Sequence, residues 1–495
     1  MDFNAFFNKI QFKFNEKDQA LLERAYHFAE TAHLGQKRFS GEEYFVHPKE
    51  AALILARIFP NATTVAATLL HDVPEDTKVG LVEIEKEFGK EVASLVDGVT
   101  KLGKVRLRNS KDKYYVENLR KMFVATSKDI RVILIKLADR IHNMRTIKYV
   151  KKEKQKRIAE ETLEIFAPIA NRLGIGEWKD ELEDTAFEIA SPEAFSKTKE
   201  ILETALAGRQ SALKKLQKDV ATILKTEGVK FEDLKGRLKR VYSLYKKLQR
   251  YDGDVNKIYD LIALRVVTQS TADCYAALGA IHKHLQPLPG RVKDFIALPK
   301  PNGYRSIHTT VFDSEKNVFE IQIRTEQMHD EAERGIAAHW VYEEEGKSDD
   351  ITSIKVQWVE DLQNMQDEIE NAEDYLQALK IDFFQNRIFV LTPKGDVKDL
   401  PEGATPIDFA FSVHSDLGFF MLGAKVNGKM VKIDHALQSG DVVEIIKTKK
   451  PVKISQDWLK QVKTSNAKHK IRHYLHENQT GIFNTLKNFI NIKRK

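Results

Sequence analysis

The chain contains a single cysteine, Cys274, in 495 residues. That excludes an internal disulfide and any Cys-rich zinc site, and it agrees with a reducing compartment. Long hydrophobic runs are also missing, since no stretch approaches the roughly 18 apolar residues that cross a bilayer. The first residues, MDFNAFFNKIQFKF, lack a basic head followed by an apolar block and a small-residue cleavage site, so the expected compartment is the cytoplasm. No Walker A loop is present. Gly346-Lys347-Ser348 has Val341 where the first glycine must stand, so any nucleotide chemistry must use another fold. Nor is there a strong excess of one charge: +7 with a pI near 8.9 is mild for this length. The basic residues bunch at 101–113, 235–250 and 447–495, which suits phosphate-bearing ligands such as nucleotides or RNA, although solvated helix faces look the same.

What is present is length and helical periodicity. A chain of this size predicts about three domains, and 42% hydrophobic with 31% charged residues describes a globular protein. From Asp18 to about Gly35, Leu21, Leu22, Ala25, Phe28, Ala29 and Ala32 recur at helical spacing, with Gly35 as a C-cap. His47-Pro48 opens a second amphipathic helix. Further helices are expected around 63–71, 81–88, 91–99 and 116–126, followed by the apolar run IRVILIKLADRIHNMRT, and no alternating strand interrupts them.

Within this all-α block the stretch LLHDVPEDT, residues 69–77, sets His71 beside Asp72, with Glu75 and Asp76 one turn later. Pro74 disfavours helical geometry in the residue before it, so a helix carrying the His-Asp doublet should break here and let both side chains reach one ion. An isolated doublet is more often a polar helix end. With His47 and Asp139, however, the set becomes two imidazoles and two carboxylates, suited to Mn²⁺, Fe²⁺ or Zn²⁺. The order of a distant His, a His-Asp doublet and a distant Asp resembles the HD phosphohydrolase superfamily. The segments GQKRFSGEEYFVHP, LLHDVPEDT, VTKLGK, LRKMFVATSKDIRVILIKLADRIHNMRT and FAPIANRLGI are similar to the hydrolase half of the bifunctional Rel/Spo alarmone enzymes, which make and degrade (p)ppGpp. The resemblance implies Mn²⁺ held by His47, His71, Asp72 and Asp139. Glu75 and Asp76 would act on the water that attacks the 3′-pyrophosphate, and Arg38, Asn143 and Thr146 would line the guanosine pocket. Phe39 stands where the family often has a small or basic residue. His27, His33, His282 and His284 are expected to be structural, the last two without carboxylate company.

Residues 153–230 are rich in Lys, Glu, Leu and Ala, with periodicity interrupted at Pro168, Gly174 to Gly176 and Pro192, and should form a helical connector. Then GRLKRVYSLYKKLQ places Val241, Leu244, Tyr245 and Leu248 on one helical face and leaves Lys239, Ser243, Lys246 and Lys247 for another. IYDLIALRVV reads as a buried strand beginning just after Asp260, and VFEIQIRT alternates, with Phe319, Ile321 and Ile323 toward a core and Glu320, Gln322 and Arg324 toward a site. Between them, PKPNGY is turn chemistry that projects Lys300, Tyr304 and His308. An aromatic flanked by cations can stack a base and hold phosphates, and two carboxylates on separate strands can hold Mg²⁺.

The block from 231 to about 342 resembles the alarmone synthetase domain of the same family, a nucleotidyltransferase-like sheet with helices. The resemblance implies pyrophosphate transfer from ATP to the 3′-hydroxyl of GTP or GDP. Arg237, Lys239 and Lys247 would hold ATP, Asp260 and Glu320 would hold Mg²⁺, and Tyr304 would stack on the acceptor guanine near Lys300, Asn302 and His308. Arg291-Val292-Lys293-Asp294 matches the basic RxKD form that accompanies bifunctional members, and Arg305 stands where Gln is usual.

Beyond a charged linker, IFVLTPKGDVKDL and AKVNGKMVKI read as hairpins and ALQSGDVVEII as a closing strand, an arrangement similar to the TGS domain, a small β-grasp module. In relatives a His after Gly in this module meets the end of uncharged tRNA; HSDLGFF has Phe419 there. The expected architecture is therefore multidomain, α plus α/β: an all-α HD-type hydrolase domain (1–152), a connector (153–230), a mixed-sheet synthetase domain (231–345), a helical linker (346–386), a β-grasp TGS domain (387–449) and a basic helical tail (450–495). Full-length members continue into zinc-finger-like and ACT-type domains, so either a truncated piece or a natural short form is expected. Expected ligands are ATP, GTP or GDP and ppGpp or pppGpp, with ribosome or uncharged tRNA through TGS. Dominant hydrolysis with weak synthesis, and RNA-binding regulation without turnover, are the alternatives.

Overall fold

A computed structural model describes residues 2–10, 12–103, 129–207, 209–300, 302–335, 337–338 and 387–479. It divides into two compact units, 1–364 and 365–495. The expected helix at 116–126, the Lys347 tripeptide, most of the basic run 101–113, the linker and the end of the tail lie outside the described residues. Among those described, no helix is long and apolar enough to cross a membrane.

The first unit opens with helices Phe3–Phe7, Glu16–Ala32, Val46–Ile58, Ala62–Leu70, Val73–Asp76, Leu81–Gly103 and Arg131–Arg145. Asn15 and Asn61 cap two of them by accepting from the backbone N–H three residues on. Glu16–Ala32 ends at His33 and not at Gly35, whose positive φ of 78° instead turns the chain two residues later. Leu81–Gly103 is bent at Gly89, φ 86°, which is the gap the periodicity left between 88 and 91. Helix Val46–Ile58 lies against both Ala62–Leu70 and Arg131–Arg145, and this packing brings the chemistry-bearing ends together.

The connector comprises Lys152–Glu161, a π-turn at Thr162–Phe166, Ala167–Arg172, Gly176–Ala190, Pro192–Leu206 and Arg209–Thr226. Pro168 does not interrupt it as expected. The π-turn absorbs the proline's missing N–H, and the helix continues. A tight seam joins the connector to the next domain: a Cβ on Gly335 would lie 2.2 Å from the Leu173 carbonyl oxygen, and one on Gly174 would lie 2.7 Å from that of Asn302. Side chains at these two positions are incompatible with the approach.

A five-stranded mixed sheet follows, β1 (Phe231–Leu238), β2 (Ile262–Thr268), β3 (Lys293–Asp294), β4 (Ile307–Phe312) and β5 (Val318–Thr325), in the order β1-β2-β5-β4-β3 with β2 and β5 parallel. β1 is a correction. FEDLKGRL is charged and largely exposed, without the alternation that marks a strand, and helix Val241–Arg250 starts only after it. Lys239 therefore sits in the turn between them, its N–H donating to the Leu261 carbonyl at 3.0 Å. One sheet face carries Leu264, Val266, Ile321 and Ile323 into a core shared with helices Arg209–Thr226 and Thr271–His284.

The second unit contains the hairpin β6 (Arg387–Leu391) and β7 (Val397–Pro401) and the sheet β8 (Met421–Val426), β9 (Lys429–Val431) and β10 (Val443–Lys447). Asn427 and Gly428, both with positive φ, make the expected Asn-Gly turn. A parallel bridge from Leu391 to Val442 links the two sheets. Helices Asp457–Gln461 and Ser465–Gln479 share a core with Ile407, Phe411 and Met421 through Trp458, Val462 and Ile471, so the tail is packed onto the module up to that point.

Candidate functional sites

In the helical domain, His47 lies in the first turn of its helix, His71 at the C-cap of Ala62–Leu70, Asp72 at the N-cap of Val73–Asp76 and Asp139 inside Arg131–Arg145. The helix does break between Leu70 and Val73, but Val73 is itself helical with Pro74 in the first turn of the next helix, so the break falls at His71 and Asp72, both in the right-handed region, and not at the residue before the proline. Ligand atoms of His47, His71 and Asp139 fall within 4.8 Å of one another, and all three residues are buried. Asp72 adjoins them. Its Oδ1 is 3.1 Å from His71 Nε2, and its Oδ2 is 3.4 Å from His47 Nε2, which in turn stands 3.2 Å from Asp139 Oδ1.

His71 Nδ1 donates to the Thr68 carbonyl at 2.7 Å, so Nε2 is the bare nitrogen, and it is buried without a hydrogen-bond partner. An orphaned imidazole lone pair facing two carboxylates is what a divalent cation satisfies. Burial opposes ionisation of Asp139, but the Lys136 ammonium at 2.7 Å from Oδ2, together with His47 and His71, outweighs it and holds the carboxyl well below the usual range. Burial chiefly, with the Asp72 charge adding, pushes Glu75 up to about 7 against the pull of Lys136. Asp76 is exposed and takes a hydrogen bond from the Tyr44 hydroxyl at 2.5 Å, while the same hydroxyl reaches Asp72 at 3.1 Å. Arg38 donates to Asn143 Oδ1 at 3.2 Å, Asn143 donates to Asp139 Oδ1 at 2.5 Å, and the Thr146 hydroxyl closes the helix on the His142 carbonyl. Phe39 is 83% exposed.

Sequence reasoning missed Tyr44, Lys136 and His142. Lys136 was accessible in principle, since it lies one turn before Asp139 on a helix whose other nearby positions are apolar. Tyr44 carried no local signal, and His142 stood out only as one of the polar residues emerging at the end of the apolar run with Asp139.

In the sheet domain, pairing register builds the second site. Lys235, Arg265, Gln322, His308 and Lys293 form one cross-strand row, and Arg237, Ala263, Glu320 and Thr310 form the next. Glu320, Gln322 and Arg324 lie on the face opposite the core, yet Gln322 and Arg324 are also buried, so this face is enclosed. Asp260, just before β2, accepts from Lys239 and, at 2.6 Å, from Lys247 through Oδ2, while its Oδ1 is buried without a partner. Burial opposes its ionisation, but the two lysines hold it down at about 2.

The Tyr304 hydroxyl meets His308 Nε2 at 2.8 Å, and His308 Nδ1 stands 3.3 Å from Glu320. Gln322 donates to Glu320 at 2.6 Å. Lys300 lies 4.8 Å from the Tyr304 ring centroid and 4.7 Å from that of Phe295, and burial depresses it to about 8, with Lys293 adding. Asn302 accepts from the Tyr304 N–H through Oδ1 at 3.3 Å and donates through Nδ2 to the Asn171 carbonyl at 3.1 Å. Arg237 reaches Asp180 of the connector at 3.4 Å. Arg265 was missed as a site residue, whereas Arg324 lies on the face that the alternation of β5 assigned to a site; each is paired with Glu333 and keeps a buried Nε without a partner. Arg305 grips Glu331 with contacts of 2.9 and 2.7 Å and serves as a packing tie. Of the remaining histidines, His284 does have carboxylate company, Glu227 at 2.8 Å.

Three known families match: the HD domain over residues 25–176, the region found in RelA/SpoT proteins over 236–347, and the TGS domain over 388–447. A probable guanosine-3′,5′-bis(diphosphate) 3′-pyrophosphohydrolase of Synechocystis is 45% identical over 458 residues, covering 92% of this chain and 60% of that one. The chain is a homologue of the RelA/SpoT proteins. A GTP pyrophosphokinase of Myxococcus xanthus is 44% identical, covering 94% of this homologue and 61% of its own length. The bifunctional (p)ppGpp synthase/hydrolase SpoT of Escherichia coli is 42% identical, covering 92% and 64%. The homologue thus spans about 60% of the length of these curated relatives. The solved small alarmone synthetase 1 of Bacillus subtilis bound to pppGpp aligns at 22% identity over 34% of this chain and 92% of that one; its TM-score of 0.24 carries no weight here.

Proposed function

We propose that this chain is a bifunctional alarmone enzyme. Its sheet domain transfers pyrophosphate from ATP to the 3′-hydroxyl of GTP or GDP, and its helical domain hydrolyses the 3′-pyrophosphate of the product. The observation that carries the reading is that one chain holds two separate clusters of buried carboxylates and cations, each with a buried acceptor atom left without a partner, His71 Nε2 in one and Asp260 Oδ1 in the other. Relatives whose names state each of these activities align along more than nine-tenths of it.

In the hydrolase site, His47, His71, Asp72 and Asp139 would hold a divalent cation, for which two imidazoles and two carboxylates favour Mn²⁺ over Mg²⁺. Such an ion makes a bound water acidic and offsets phosphate charge. Glu75, pushed up to about 7, takes the proton from the attacking water. Tyr44 orients Asp72 and Asp76 together. Arg38 and Asn143 bind the guanosine, and Thr146 shapes the floor of that pocket.

In the synthetase site, Asp260 and Glu320 would hold Mg²⁺, which aligns and neutralises the transferring phosphates. Arg237, Lys239 and Lys247 bind the ATP phosphates, so the two lysines must turn from Asp260 when nucleotide enters. Tyr304 stacks on the acceptor base, with Lys300, Asn302 and His308 around it. His308 holds the Tyr304 hydroxyl and Glu320 in one hydrogen-bonded line, fixing ring and carboxylate relative to each other.

Asp260 is taken by Lys239 and Lys247, and Arg237 by Asp180, whereas the hydrolase groups already converge. That asymmetry favours a second reading, a balance weighted toward hydrolysis. Both are tested by incubating the protein with ATP, GTP and Mg²⁺, and separately with pppGpp and Mn²⁺. Synthesis abolished by Asp260→Ala together with hydrolysis abolished by Asp72→Ala supports bifunctionality. Hydrolysis without synthesis selects the second reading, and turnover in neither direction refutes both.

In the TGS module, Phe419 packs between Phe411 at 5.2 Å and Tyr474 at 5.4 Å. An uncharged tRNA or ribosomal contact through HSDLGFF would therefore meet the exposed His414, and its affinity would fall steeply with salt.

A further inference from the structure

His142 belongs to neither the ligand set nor the substrate set, yet it contacts both His47 and Arg38 behind the hydrolase cluster. It lies in the last turn of helix Arg131–Arg145, 6% exposed, three residues beyond Asp139. Its Nδ1 stands 2.7 Å from His47 Nδ1, and Arg38 Nη1 reaches the same nitrogen at 3.1 Å.

These contacts decide where the protons are. A guanidinium has donors and no acceptor, so toward Arg38 the His142 Nδ1 must be a bare lone pair. The hydrogen between the two Nδ1 atoms then belongs to His47. A neutral imidazole protonated on Nδ1 is bare on Nε2, and His47 Nε2 is the atom that faces Asp72 and Asp139.

We propose that His142 is a positioning residue of the hydrolase metal centre: backed by Arg38, it holds His47 in the one tautomer and ring orientation whose Nε2 is free to bind the cation. His71 reaches the same condition through the Thr68 carbonyl, so each metal-facing imidazole has its own orienting acceptor. Carbonyl and imidazole differ in one respect. The Thr68 carbonyl can only accept, whereas His142 can present either a lone pair or a proton at Nδ1, and it is Arg38 that compels the lone pair. Arg38 therefore influences metal affinity from outside the coordination shell, besides any contact with guanosine. The inference rests on the reading of this cluster as a metal centre.

The test is calorimetric titration of the full chain with Mn²⁺ alone, without nucleotide. His142→Phe, which keeps a ring but offers no acceptor, should weaken Mn²⁺ binding about 10- to 100-fold, the usual loss when an orienting partner of a metal-ligating imidazole is removed. His142→Gln, whose side-chain carbonyl can accept from His47, should recover affinity to within about threefold of wild type, a rescue that generic loosening of the helix would not give. Arg38→Met should weaken binding several-fold, because His142 is then free to donate instead. Unfolding midpoints measured on the same samples identify any variant that fails to fold, and Arg38→Met carries the test if Phe is not tolerated, unchanged affinity there overturning the inference. Equal Mn²⁺ affinity in wild type and His142→Phe overturns the inference and leaves the metal centre standing. Failure of the wild type to bind Mn²⁺ removes the metal-centre reading, and the inference with it.

Discussion

Asp180 of the connector holds Arg237 of β1 at 3.4 Å, with Lys179 on its other side at 2.8 Å. The helix that carries Asp180 also takes Arg57 and Arg145 of the helical domain through Glu177 and Glu181, so one acidic helix grips the domains that carry both candidate sites. Arg237 is the residue proposed to hold ATP. The carboxylate thus competes with phosphate for the same cation, and Asp180→Asn should lower the KM for ATP. Arg237 is 43% exposed, so a screened pair of this kind is worth at most about 1 kcal/mol, or up to about fivefold in KM. Steady-state synthesis at varied ATP measures it, and an unchanged or raised KM counts against competition.

Glu75→Gln should keep Mn²⁺ affinity while lowering hydrolysis by about 10²- to 10⁴-fold, the contribution of a positioned proton acceptor. The wild-type rate should fall as pH drops through the region near 7, where Glu75 gains its proton, and that acid limb should vanish in the residual activity of the variant. Loss of Mn²⁺ binding in Glu75→Gln would place the residue in the coordination shell instead.

Lys300 gives a proton signal. Its pKa is depressed from 10.5 to about 8, so near pH 8 about half of it is neutral. Phosphate arriving beside it favours the charged form, and nucleotide binding at that pH should take up as much as about half a proton per chain. Titrations in two buffers of different ionisation enthalpy report the uptake, and Lys300→Met should abolish it. The same depression makes the unfolded chain the stronger proton binder between about pH 8 and 10.5, so the contribution of Lys300 to stability rises with pH across that window.

Asp408 is fully buried in the second unit and accepts from the N–H groups of Thr405, Lys463 and Thr464 and from both threonine hydroxyls. It caps helix Pro406–Val413 and ties residues 463–464 to it. Asp408→Asn would turn an amide donor toward these donors and should destabilise the unit by about 2–4 kcal/mol. Thermal unfolding would show the loss, whereas a change under about 0.5 kcal/mol, the range of an ordinary surface substitution, would mean that the tail docks independently of this carboxylate.

Much of this protein follows from local pattern. Helices Glu16–Ala32, Val46–Ile58, Ala62–Leu70 and Arg131–Arg145, β2, β5 and the Asn427-Gly428 turn all follow from periods of 3.6 and 2 and from φ preferences, which act within a few residues. The pairing of LLHDVPEDT with His47 and Asp139 was legible only through the order and flanking segments that resemble the HD superfamily, with Asp139 alone standing out at the end of an apolar run. β1 was not, since an edge strand with an exposed charged face carries no alternation.

What the tertiary structure alone decided is which side chains meet. The row from Lys235 to Lys293 exists only through strand register, including a parallel pairing across more than 50 residues of chain. Arg305 is a packing tie because helix Glu326–Arg334 delivers Glu331 to it, and Phe419 is held half-buried against the core because Tyr474 returns to stack on it. The Arg38–His142–His47 line joins three segments and sets a proton position that no local spacing encodes. Backbone preferences are short-ranged and readable along the chain, whereas hydrogen-bond direction and ion pairing depend on distances that exist only after the elements have packed.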